Sequence, residues 1–207
     1  MVTNTTGVNN TAVGNNALYY NLTGTDNNAF GLGSLQTCTT GYNNSAFGGG
    51  ASYLAGALQS LTTGYRNSGF GCGAAGSTTT GANNTAVGDA SLYSNSTGGD
   101  NVAVGQTTLL ASTSASNNTG CGYQAGYAVT TGGSNTLIGK AAGYGVTTGG
   151  GHVLLGADSG ITGSPGGNIT TANNIIVIGD ENIGAAHVQV DWSVASDQRD
   201  KTDFAAL

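Results

Sequence analysis

Charge is scarce in this sequence. Only 7% of its 207 residues are charged, where about 25% is usual, and proline, tryptophan and methionine occur once each. Four Lys and Arg stand against ten Asp and Glu, for a net charge of -6. A chain so poor in cations cannot draw on the counterion release that phosphate backbones reward, or on attraction to anionic lipid. Nucleic acid is therefore excluded as an expected partner. No run approaches the ~20 apolar residues that span a bilayer, and the opening residues, 1–6, hold neither a basic nor an apolar leader pattern. Neither membrane insertion nor a Sec-type address is expected. Cys38, Cys72 and Cys121 are odd in number and match no ligand spacing, so they read as small apolar fillers. His152 and His187 lack a carboxylate or cysteine cluster at ligand spacing, and neither a metal nor a cofactor is expected. Gly-x-Gly strings such as Gly71-Cys-Gly73 are not followed by a helix pattern, which removes the nucleotide-loop reading.

Glycine is what the chain has in excess, 38 residues, while its apolar fraction is only 38% against ~45–50% in ordinary domains. Its core must be thin or shared. Such a composition is also compatible with disorder, and periodicity decides between the two. Glycines recur at Gly14, Gly31, Gly48, Gly71, Gly88, Gly105, Gly122, Gly139, Gly156 and Gly179, with seven spacings of 17 residues and two of 23. Four residues before them stand Asn10, Asn27, Asn44, Asn67, Asn84, Asn101, Asn118 and Asn135, replaced at the end by His152 and Ile175. Ten residues after them a Thr-Gly pair recurs, as in Thr23-Gly24 and Thr80-Gly81, where glycine is expected to supply a positive φ for a corner.

One 17-residue unit cannot bury its own apolar face, but stacked units extend a continuous narrow core. The expected fold is all-β: a parallel β-solenoid, or β-roll, of about ten coils. The column before the glycines (Val13, Phe30, Phe47, Phe70, Val87, Val104, Cys121, Ile138, Leu155, Ile178) reads as the core stripe. The small column one residue earlier, Ala12 to Gly120, then faces outward by alternation and can meet a neighbouring surface closely. A second short strand is expected from the small residues three positions after each glycine, such as Ala17 and Ser34. The corner asparagines are expected to form an amide ladder and to accept the left-handed conformation there. The two longer spacings place six-residue inserts near 49–54 and within 163–171, around Pro165.

The final 17 residues hold six of the fourteen charges. Before them, Val188, Val190, Trp192 and Val194 alternate with polar residues, an amphipathic strand in need of a partner. The chain divides into a lead-in (1–8), the solenoid (9–182), a linker strand (183–195) and a distinct terminal segment (196–207).

The phrase Asn-Thr-Ala-Val-Gly, at 10–14 and 84–88, resembles the repeats of trimeric autotransporter adhesin heads. With its Thr-Gly turn and Asn corner, the unit is similar to the repetitive shafts of phage tail fibres and spikes. Ser196, Asp197, Arg199 and Lys201 resemble the Ser-Asp-x-Arg-x-Lys opening of the endosialidase-type intramolecular chaperone. That resemblance implies a homotrimer, and self-cleavage between Ala195 and Ser196 with Ser196 as nucleophile and Lys201 as its base. Only six residues follow Lys201, too few for the chaperone body. The expectation is a non-enzymatic structural component of a virion tail, extracellular, assembling with itself and other tail proteins. Its partner at the host surface would be a glycan or protein receptor. A bacterial adhesin head at the cell surface is the alternative. Tyrosines such as Tyr42, Tyr65, Tyr127 and Tyr144 suit sugar stacking or packing against a neighbouring chain. Paired threonines such as Thr39-Thr40 could form a flat array of the ice-binding kind, although the array skips several coils.

Overall fold

The computed structural model describes residues 3–50, 54–180 and 182. Ten three-residue strands follow one another: β1 (Thr11–Val13), β2 (Asn28–Phe30), β3 (Ser45–Phe47), β4 (Ser68–Phe70), β5 (Thr85–Val87), β6 (Val102–Val104), β7 (Thr119–Cys121), β8 (Thr136–Ile138), β9 (Val153–Leu155) and β10 (Ile176–Ile178). They form one parallel sheet in chain order, and each strand pairs with the equivalent residues of the next: Val13 with Phe30, Phe30 with Phe47, Phe47 with Phe70. The chain is an all-β parallel β-solenoid, as its spacing predicts. At ~4.8 Å per step the nine steps give a rod about 43 Å long.

The inside and outside of the sheet are the reverse of those expected. Ala29, Ala46, Ala86 and Ala103 are fully buried, whereas Val13, Phe70 and Ile178 are 54%, 41% and 53% exposed. The reason lies across the coil. Four residues after the repeat glycine, or ten where the first insert intervenes before Leu58, Leu18, Leu35, Leu58, Leu92 and Leu109 are fully buried and fill the space facing the strand. Only alanine or glycine then fits on the strand's inner side, and the larger residues turn out. In later coils the volumes exchange places. The strand now carries Leu137 and Leu154, both fully buried, and the opposing position becomes Gly126, Gly143 or Gly160. A Cβ on Gly126 would lie 2.6 Å from Leu137 Cδ1 and 2.7 Å from Leu109 Cδ2. Most coils thus supply one large side chain from one wall or the other, and where both positions are small, as at Gly69 with Ala75 and Gly120 with Gly126, leucines of adjoining coils such as Leu58 and Leu109 reach the space, in keeping with close-packed interiors.

The expected second strand is absent among the described residues, where each coil holds a single strand. Two left-handed residues curl that leg, for example Asn16 (φ 58°) and Leu18 (φ 47°), and an extended run cannot form. Its main chain still bonds from coil to coil, as Leu18 N–H to Ser34 O (3.1 Å) and Tyr20 N–H to Gln36 O (3.0 Å). A leucine in this conformation costs ~1–2 kcal/mol, which burial of its side chain, ~1.5–3 kcal/mol, offsets.

Glycine's role also differs between its two sites. Gly88 has φ +126°, and a Cβ there would sit 2.6 Å from the Gly105 carbonyl oxygen. In the Thr-Gly turns φ is not positive. Gly81 is needed there because a side chain would run into the Gly98 carbonyl oxygen of the next coil. The left-handed corner residue is the one before the ladder asparagine, such as Asn43 (φ 56°) or Asp100 (φ 59°).

Both inserts leave the register intact. Ala57 N–H bonds Gly48 O (3.0 Å) across the first, and Ile169 N–H bonds Gly160 O (2.9 Å) across the second. The second therefore spans 161–168, and Thr170 is already back in the repeat, its carbonyl accepting from Thr147 N–H (2.8 Å).

Gly126→Leu alone overpacks the core and should cost ~1–3 kcal/mol, read as a lower urea midpoint. Adding Leu137→Ala recreates the Ala/Leu pairing of the early coils and should recover most of the loss. A double variant no more stable than the single one would show that the two positions do not share one space.

Candidate functional site

The most ordered polar constellation in the rod is internal. Asn27, Asn44, Asn67, Asn84, Asn101 and Asn118 are buried and stand above one another along the stack. Nδ2 of Asn44 donates to Oδ1 of Asn27 (3.0 Å), Asn67 to Asn44 (3.2 Å), Asn84 to Asn67 (3.0 Å), Asn101 to Asn84 (3.0 Å) and Asn118 to Asn101 (3.2 Å). The same oxygens accept the main-chain N–H of the next asparagine, at 3.0 Å for Asn84 and 3.1 Å for Asn101. Each amide also donates to the turn of the next coil, as from Asn84 to Gly98 O (2.9 Å) and from Asn101 to Ala115 O (2.8 Å). Asn10 and Asn135 join at the ends, donating to Gly24 O (2.7 Å) and Gly149 O (3.1 Å). These asparagines hold the corner to the turn and each coil to the next, and none of the seven buried ones, Asn27 to Asn135, is offered to a ligand.

His152 continues this ladder. Its N–H donates to Asn135 Oδ1 (3.0 Å), and its Nδ1 accepts the Ile175 N–H (3.2 Å). Nε2 lies against the Ala172 carbonyl without reaching hydrogen-bond geometry. Burial pushes the imidazole below its ordinary 6.5. Protonation would give Nδ1 a hydrogen and take away the acceptor that Ile175 uses.

The glycines Gly14, Gly31, Gly48, Gly71, Gly88, Gly105, Gly122 and Gly139 close the strands, stacked so that the backbones of successive coils touch. Ser196 and Lys201, with the linker strand and Trp192, lie outside the described residues. Among the described residues no group of three or more His, Cys, Asp or Glu converges as metal ligands. The cysteines are free and differ in environment: Cys38 is buried, Cys72 is intermediate and Cys121 is exposed. Only Cys38 is a core filler, and burial pushes its thiol up to about 11.

What the surface offers is periodic. Phe30, Phe47 and Phe70 stack in parallel, with centroids 4.7 and 5.2 Å apart. Tyr42 stacks on Tyr65 (5.0 Å) beside Arg66, and Tyr127 on Tyr144 (4.9 Å). The first threonines of the pairs donate their hydroxyls to the next coil, as from Thr39 to Thr62 O (3.2 Å) and from Thr62 to Thr79 O (3.0 Å). The pairs themselves skip coils, but the position of the second member carries an exposed hydroxyl in each: Thr23, Thr40, Thr63, Thr80, Thr97, Ser114, Thr131, Thr148 and Thr171. The loop 161–164 with Asp158, Asp180 and Asn182 lines a small half-open pocket, and Asp158 is paired with Lys140 (3.2 Å).

The buried leucine column was missed in the sequence because β alternation was extended through the second leg. Its signal was nonetheless present, as a leucine four residues after four of the repeat glycines. Compared with family models, curated proteins and solved structures, the chain matches none of them.

Asn84→Ala removes four side-chain hydrogen bonds and leaves buried partners unsatisfied, for an expected loss of ~2–4 kcal/mol in urea unfolding. For His152 the unfolded chain takes up a proton near 6.5, which the folded one resists. Its contribution is therefore full above that pH and is lost as pH falls below it toward the depressed folded-state value. His152→Asn should flatten this acid-side loss in thermal unfolding followed against pH.

Proposed function

We propose that the chain is a structural shaft segment of a phage tail fibre or spike, a homotrimer that helps a virion attach to its host surface. The observation that carries this reading is the unbroken register of ten rungs through both inserts. Such a rod is suited to holding other parts at a distance, and a bundle of rods presents its loops together, so that weak contacts add up to avidity. The Asn corner with its Thr-Gly turn and the Ser196-to-Lys201 motif support the fibre. In a longer precursor Ser196 Oγ would attack the Ala195 carbonyl while Lys201 takes the hydroxyl proton and returns it to the Ser196 amine as the Ala195–Ser196 peptide bond breaks, and water would then hydrolyse the Ala195 ester. The Asn-Thr-Ala-Val-Gly phrase favours a second reading, the head of a trimeric adhesin on a bacterial surface.

Immunogold labelling with an antibody to the rod separates the two: label on tail fibres supports the first reading, and label on the bacterial envelope the second. Expression together with the native downstream sequence tests the processing step. The expected product ends at Ala195 by intact mass, and Ser196→Ala and Lys201→Ala products should remain uncut. A wild-type product that stays intact with its downstream domain folded would overturn the assignment.

A further inference from the structure

We propose that the outward face of the sheet, the row from Val13 to Ile178, is the seam on which two further copies of this chain pack, parallel and rung for rung. The proposal rests on the trimeric-shaft reading and names the surface that makes the trimer.

The face is apolar where it has no structural need to be. Every outward residue before a repeat glycine is apolar, and Val13, Phe47, Phe70, Val104 and Ile178 are 37–54% exposed. Their outward neighbours two positions earlier are Thr, Ser, Asn, Val or Ile, so no charge falls on either outward row across all ten rungs. Charges begin only beyond the sheet, at Asp26, Arg66 and Asp100 on one flank and Asp89 and Lys140 on the other. The strip is about 43 Å long and ~10 Å wide, some 430 Å² in projection before the relief of its side chains is counted. A patch of that size matches the largest apolar patch of a typical soluble protein, which is often an interaction site.

The occupant is another copy because the strip is ruled. Its side chains repeat once per rung along a straight line, and an object with another period would fall out of step within a few rungs. A second copy has the same period and the same uncharged face, and it keeps its acidic residues away from the contact. A closed three-fold ring requires parallel chains in identical register. The Phe30–Phe47–Phe70 stack then meets its own counterparts at one level of the bundle.

The test uses the whole chain. Sedimentation equilibrium should give about three times the 20.2 kDa chain mass. Phe47→Asp with Val104→Asp should reduce it to one chain with an unchanged circular dichroism spectrum, while Thr63→Asp with Thr131→Asp on the exposed threonine row should leave it threefold. Should the charged sheet variant fail to fold, the wild-type protein still decides. Cys121 lies in the proposed seam and is exposed, Cys72 is partly exposed and Cys38 is buried, so in a Cys72→Ser background a short bis-maleimide should link chains through Cys121, and adding Cys121→Ser should abolish the links. A trimer that survives the sheet-face aspartates, or links that persist once Cys121→Ser is added, would overturn the seam and leave the trimeric shaft standing. A wild-type chain that sediments as a monomer would overturn both.

Discussion

Everything in this rod depends on one coil settling on the next in the same register, and the buried asparagine ladder is the interaction that enforces it. A strand of three residues carries too few main-chain bonds to fix its own alignment, and a narrow core of alanine and leucine tolerates sliding. An amide that must satisfy its neighbour's oxygen, its neighbour's N–H and a turn carbonyl does not. A displaced coil would leave several buried polar groups unmet at once, and that penalty is far larger than the gain from any single hydrogen bond. The ladder continues through His152, which supplies an acceptor at the equivalent place.

The hydrophobic contribution is organised around that polar spine. Each coil has room for about one large aliphatic side chain, and it does not matter from which wall it comes. Leu92 from the curled leg and Leu154 from the strand are equivalent answers, each matched to a small partner opposite, Ala86 or Gly160. Leucines at left-handed φ are tolerated because the volume they fill has no other occupant. The core is thereby complete within one chain, and the outward apolar row is left without a function inside it.

The fold was legible because its ruler is covalent: glycines every 17 residues, asparagines four before them, and inserts of whole loops that leave the rest unmoved. The ladder could be read from Asn27 to Asn135 for the same reason. What could not be read was orientation. Val13 and Ala12 differ by one position, and hydrophobicity alone assigned Val13 to the interior. The deciding fact was the leucine six residues after four of the five inward alanines, as Leu18 follows Ala12, whose left-handed backbone breaks the alternation that the sequence was read by. The Thr-Gly turns were likewise assigned a conformational reason where the requirement is one of clearance. The Ser196 and Lys201 motif rests on resemblance, and its chemistry belongs to a part of the chain that the rod does not contain.

The inserts at 49–56 and 161–168 begin and end within a single coil, and the hydrogen bonds on either side close as though they were not there. Growth of such a molecule is therefore modular in both directions. Unequal recombination between near-identical coding stretches can add or delete whole rungs, changing reach by ~4.8 Å at a time, while a loop can be lengthened without disturbing the stack beneath it. Reach and decoration can evolve on separate schedules within one architecture.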